Sequence, residues 1–240
     1  MKVHVLETAI ERLGRILANQ YNIGVIYEGN QAKTDGKNIY LPRFENVTEE
    51  IYNDMIAYLD HEVAHCKFTE FSEVPKVISR FHKELLNATE DSRIEQEMFK
   101  EYPGAQSFLD PLNEKLMKKI HEKWESLPWP IRLIIGVRDL MEKKAPRLDS
   151  DTEDLFEEIK DKAAKLSECT STKEIRVATE EIVKLIEDKR EEIKKELEKK
   201  EAEEKGKGEK GKGEKGEKGQ KSDESDDGGE GDDMLSEDAN

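Results

Sequence analysis

Eight consecutive residues, Leu59-Asp60-His61-Glu62-Val63-Ala64-His65-Cys66, constrain this chain more than any other stretch. On an α-helix, residues four apart project from one face on consecutive turns, so His61 and His65 can offer two imidazoles to a single metal ion. Glu62 lies about 100° around such a helix from His61. From there its carboxylate can reach a water on the metal and act as a general base, with zinc the expected metal.

The stretch reads as a helix for independent reasons. Ile51, Met55, Ile56, Leu59, Val63 and Ala64 recur at helical spacing, and no Gly or Pro interrupts residues 47–71. Asn46 with Glu49 resembles an N-cap and partial capping box, and Thr48 is a second candidate cap.

A zinc site of this kind needs a third protein ligand and an open position. Downstream, Asn87-Ala88-Thr89-Glu90-Asp91-Ser92-Arg93-Ile94-Glu95 is a dense carboxylate cluster among the apolar residues Leu85, Leu86, Ile94 and Met98. A carboxylate near a core must be paired or bind metal. Taken alone these acids fit a salt-bridged helix face; with His-Glu-x-x-His upstream, metal ligation is the better reading. Asp91 and Glu90 are rivals for the third position, since they differ by about 100° around a helix and only one can face the imidazoles. Glu95 and Asp60 are candidates to accept a hydrogen bond from a ligand imidazole N–H. His82, His4 and His121 have no sequence partner and read as ordinary core or surface residues. Tyr102 and His121 are candidates for oxyanion stabilisation by residue type only.

HEVAHCKFTEF followed by NATEDSRIEQEM resembles the N-terminal region of CobT-type cobaltochelatase subunits and related phage and bacterial proteins. In these a metallopeptidase-like, zincin-type domain precedes an acidic linker and a von Willebrand A domain. Related metallopeptidases carry Asn-x-x-x-Asp-x-x-Ile-Asn on the second helix. Asn87, Asp91 and Ile94 match that pattern, and Glu95 stands in place of its last Asn. The resemblance implies Asp91 as third ligand, whereas thermolysin-like enzymes use a glutamate, which would favour Glu90. It covers roughly residues 1–200 and departs from the family in that no von Willebrand A pattern follows. It also implies work alongside a ring-forming AAA+ ATPase or a von Willebrand A protein.

The expected class is α+β, mostly α. Residues 1–145 would form a zincin-like core of helix, β-hairpin, His-Glu-x-x-His helix and third-ligand helix. A helical extension would occupy 146–200. Residues 3–20 carry an amphipathic stripe, Asn22–Tyr27 and Asn38–Leu41 read as strands around a Gly/Asn/Asp turn region, and Ser72 reads as the cap of the helix ending near Glu101. Further helices are expected over 107–125, 131–142, 149–168 and 170–200. Residues 201–240 read as a disordered Gly/Lys/Glu linker and acidic tail, with too little apolar surface to bury. Its glycines lose the triplet phase between Gly206 and Gly208, which rejects a collagen helix.

The formal net charge of -16 argues against binding nucleic acid through phosphates. Nine of the last eighteen residues are acidic, so the folded part is less acidic than the average. Two cysteines, Cys66 and Cys169, supply neither a ligand pair nor a disulfide framework. With no signal peptide and no apolar run of about 18 residues, the expectation is a cytoplasmic protein without a membrane span. Two functions remain: a zinc-dependent hydrolase of peptide or protein substrates, or a non-catalytic module that keeps the fold for assembly.

Overall fold

The computed structural model describes residues 8, 10, 12–16, 23–43 and 48–208, except the side chains of 197 and 200–208. The described residues of the N-terminal stripe are helical, and Ile10 is buried. This stretch approaches the metal-motif helix closely, since a Cβ on Gly14 would lie 2.9 Å from Leu59 Cδ1.

Three short strands follow: β1 (Gly24–Tyr27), β2 (Lys33–Thr34) and β3 (Asn38–Leu41), in sheet order β1-β3-β2. The expected hairpin between the two longer strands is corrected here. β1 and β3 pair in parallel, Val25 opposite Ile39, whereas the hairpin joins β2 to β3, Thr34 opposite Ile39. Local turn chemistry explains this. Asp35 Oδ1 accepts from the backbone N–H of Lys37 and Asn38, and Gly36 takes φ +82°. The reversal is therefore tight, and its first arm is only two residues long, too short for alternation to reveal. β3 buries Ile39 and Leu41 completely.

Six helices complete the described chain: α1 (Glu49–Phe68), α2 (Arg80–Glu101), α3 (Gln106–Glu122), α4 (Trp129–Met141), α5 (Glu153–Lys165) and α6 (Thr172–Gly208). Thr48 caps α1, its hydroxyl accepting from Ile51 N at 3.2 Å, and Glu49 and Glu50 complement the helix dipole. Asn46, the other candidate cap, lies outside the described residues. The cap expected at Ser72 is replaced by Ser79, which accepts from His82 N at 3.1 Å. Pro75 starts only a single 3-10 turn, and Val77 is extended, so the helix restarts later.

α2 lies between two apolar clusters. Its C-terminal half sends Ile94 and Met98 into a core shared with β3, α1 and α3. Its N-terminal half sends Leu85 and Leu86 into a second core with Leu133, Phe156, Ile159 and Ile182 of α4, α5 and α6. The segment expected as an extension from residue 146 therefore packs on the same helix that carries Asp91. α6 also runs beyond the expected boundary at 200, through Gly208. The Glu-Ala-Glu-Glu-Lys run there consists of strong helix formers. The rest of the expected tail lies outside the described residues. No described helix is long and apolar enough to cross a membrane.

Candidate metal centre

α1 and α2 bring together His61, His65 and Asp91, one possible ligand atom from each lying within 4.8 Å of the others. Asp91 Oδ1 is 3.1 Å from His65 Nε2 and 3.8 Å from His61 Nε2. The two rings meet edge to face with centroids 4.9 Å apart. All three side chains keep partial exposure, between 19% and 25%, so the cluster opens to solvent on one side.

The far side of each ring fixes what the near side can do. His61 Nδ1 lies 2.9 Å from Glu95 Oε1, and an ionised carboxylate only accepts, so Nδ1–H is the donor. His65 Nδ1 lies 2.9 Å from Thr69 Oγ1. The Thr69 hydroxyl spends its proton on Glu90 Oε1 at 3.0 Å, so it accepts from His65 Nδ1–H. In both rings Nε2 is left as the metal-facing atom, the usual arrangement for ligating histidines. The two Nε2 atoms and the Asp91 carboxylate form a group that could hold a cation, whether a proton or a metal ion. The donor set of two imidazoles and one carboxylate would suit zinc.

The metal-free electrostatics agree. Burial disfavours a charged His61, but the Glu95 hydrogen bond and the charges of Asp91, Glu95 and Glu62 outweigh it and hold the imidazole up at about 9. Burial would raise Asp91, but the His65 hydrogen bond and the charges of His61, His65 and Arg138 pull it down to about 2. A proton on His61 thus partly fills the place of a metal cation.

Glu62 is 4% exposed and has no hydrogen-bond partner among the described residues. Burial pushes it above the ordinary carboxylate range, with His61 and His65 opposing the shift and Asp91 adding to it. A carboxylate that is unpaired, next to the cluster and of raised basicity suits a proton acceptor.

The structure separates the rivals for the third position. Asp91 turns to the imidazoles, whereas Glu90 turns away into a buried pair with Arg93, Oε2 accepting from Nε at 2.8 Å and Oε1 from Nη2 at 2.6 Å. Of the two expected acceptors, Glu95 holds His61, and Asp60 does not take part. Asp60 is buried with no hydrogen bond among the described residues, and burial alone holds it up at about 6. Tyr102 accepts from Lys67 Nζ at 3.1 Å, and His121 lies edge-on to Trp124, so both oxyanion candidates are engaged elsewhere. His82 is a satisfied core residue: Nδ1 accepts from Ile78 N, and Nε2 reaches Arg176 O and Thr179 Oγ1.

Several residues at the site escape sequence reasoning. Asn113 donates to Glu95 Oε2 at 2.9 Å, and Arg138 stands 3.7 Å from the same oxygen. Thr69 was within reach as a signal, sitting one helical turn after His65; Asn113 and Arg138 come from distant elements and carry no local signature. No family model, curated protein or solved structure matches the chain.

Proposed function

We propose that the protein is a zinc-dependent, zincin-like hydrolase of peptide bonds. The observation that carries this reading is the convergence of His61 Nε2, His65 Nε2 and Asp91 Oδ1 beside the unpaired, buried Glu62. His61, His65 and Asp91 hold the ion, and Glu95 and Thr69 fix the two rings. A bound zinc would supply Lewis acidity and an acidified water at its open position. Glu62 accepts a proton and returns it to the leaving amine. β2 supports a peptide substrate over a small one. It is an edge strand, and Thr34 Oγ1 lies 3.3 Å from Cys66 Sγ, the residue after His65. An extended peptide added to that edge would run past the metal site.

A second reading, a non-catalytic module working with an AAA+ ATPase or a von Willebrand A protein, draws on α6. Beyond Ile193, the last of its described side chains packed on the second core, the helix continues to Gly208, about 22 Å at 1.5 Å per residue. Such an arm suits attachment.

Glu62→Gln separates the two. It keeps shape while removing the base, a loss of about 10²–10⁴ in rate in hydrolases. The expected result against a broad peptide library is cleavage by the zinc-loaded wild type and none by Glu62→Gln with zinc retained. Absence of cleavage by the wild type, alone and with an AAA+ partner, overturns the hydrolase and leaves the module.

A further inference from the structure

We infer that the C-terminal helix α6 is part of the metal site, acting on His65 through a directional chain of hydrogen bonds from Thr172 to Glu90 to Thr69. The inference rests on the reading of His65 as a metal ligand.

Each link has a fixed direction. The Thr172 hydroxyl accepts from Glu70 N–H at 2.8 Å, which leaves its own proton for Glu90 Oε1 at 2.7 Å. Glu90 Oε1 also accepts from Thr69 Oγ1 at 3.0 Å and Arg93 Nη2 at 2.6 Å. Arg93 is itself anchored on Phe68 O, the last residue of α1, at 2.7 Å. Glu90 can therefore only accept, the Thr69 proton can only point at it, and the oxygen lone pair of Thr69 is presented to His65 Nδ1–H at 2.9 Å. Glu90 and Arg93 side chains are each 4% exposed, and Thr172 is fully buried, so the Thr172–Glu90 link is shut off from water.

The chain explains a feature that a structural ion pair alone does not. A buried Glu–Arg pair satisfies itself, yet here two threonine hydroxyls from different elements converge on the same carboxylate oxygen. One of them touches a metal-facing imidazole. Glu90, Thr69 and Thr172 are positioning residues: they fix the tautomer and the ring plane of His65 and touch neither metal nor substrate. His61 is held separately, by Glu95 and Asn113, so the two ligands depend on different parts of the fold.

The test compares wild type, Thr69→Val, Thr172→Val and Thr172→Ser by zinc affinity in chelator competition and by the His65 Nδ1–H resonance in ¹⁵N-edited NMR of the metal-free protein. Loss of an outer-shell hydrogen bond to a ligating histidine typically weakens metal binding about 10–100-fold. Thr69→Val and Thr172→Val are expected to fall in that range, with Thr172→Ser restoring affinity and the protected Nδ1–H signal present only in wild type and Thr172→Ser. A wild type that binds zinc, with both valine variants binding equally tightly, overturns the chain. If the wild type binds no zinc, the metal reading fails, and the resonance alone decides: loss in both valine variants upholds the chain, persistence overturns it. Should Thr172→Val not fold, Thr69→Val at its half-buried position decides in the same way.

Discussion

At the scale of single residues, the adjacent acids Glu90 and Asp91 divide the labour that sequence left open between them. Asp91→Ala is expected to lose zinc while keeping the fold. Glu90→Ala is expected to lose stability first, because it strands the Arg93 guanidinium in a buried site, a defect of about 3–5 kcal/mol. Zinc titration beside thermal melting distinguishes the pair, and the opposite pattern would make Glu90 the ligand. The proton on His61 makes a second outcome specific. Its pKa in the folded, metal-free protein is raised from 6.5 to about 9, so its stabilisation is complete below 6.5 and disappears as pH rises through 9. Zinc must displace that proton, so zinc affinity and the zinc-induced rise in melting temperature are expected to grow with pH across this window. Calorimetry at pH near 7.5 in buffers of different ionisation heat should show about one proton released per zinc; a pH-independent affinity would contradict the assignment.

At the scale of elements, sequence readings succeeded where the signal was local and failed where it was relational. The spacing of Met55, Leu59 and Val63 announced α1, and the apolar neighbours of Asp91 announced α2, so the two elements that carry His61, His65 and Asp91 were readable in advance. Strand pairing was not. The short β-branched and aromatic runs Val25–Tyr27 and Ile39–Leu41 identify strands but carry no information on their partners, and the two residues of β2 are too few to show a period. The helix start at Ser79 was missed because Ser72 followed by Pro75 offers an equally good local signature; only the extended Val77 excludes it. Ser79→Ala is therefore expected to cost about 1 kcal/mol in denaturant unfolding, and Ser72→Ala almost nothing. Gly36→Ala is expected to destabilise by about 1 kcal/mol or more, since φ is +82° there and the new Cβ would lie 2.8 Å from the Phe71 ring. An unchanged unfolding midpoint would argue against this turn.

At the scale of the whole molecule, the segment after residue 146 packs on the helix that also walls the N-terminal core. α2 is the shared wall of both apolar clusters, and Thr172 reaches back to the carboxylate next to Asp91. A contact spanning 82 residues leaves no trace in local pattern. A chain ending after Glu168 is expected to lose zinc and cooperative unfolding. One ending after Gly208 is expected to keep both, because residues 209–240 offer no large apolar side chains beyond Met234 and Leu235. Circular dichroism melting of the two truncations checks this. The central claim, that α1 and α2 together build one metal site, is tested most directly by metal analysis of protein purified under zinc-replete conditions. The account predicts about one zinc per chain in the wild type, and none in His61→Ala, His65→Ala or Asp91→Ala variants that melt as cooperatively as the wild type. A metal-free wild type, or full zinc occupancy in those variants, would contradict it.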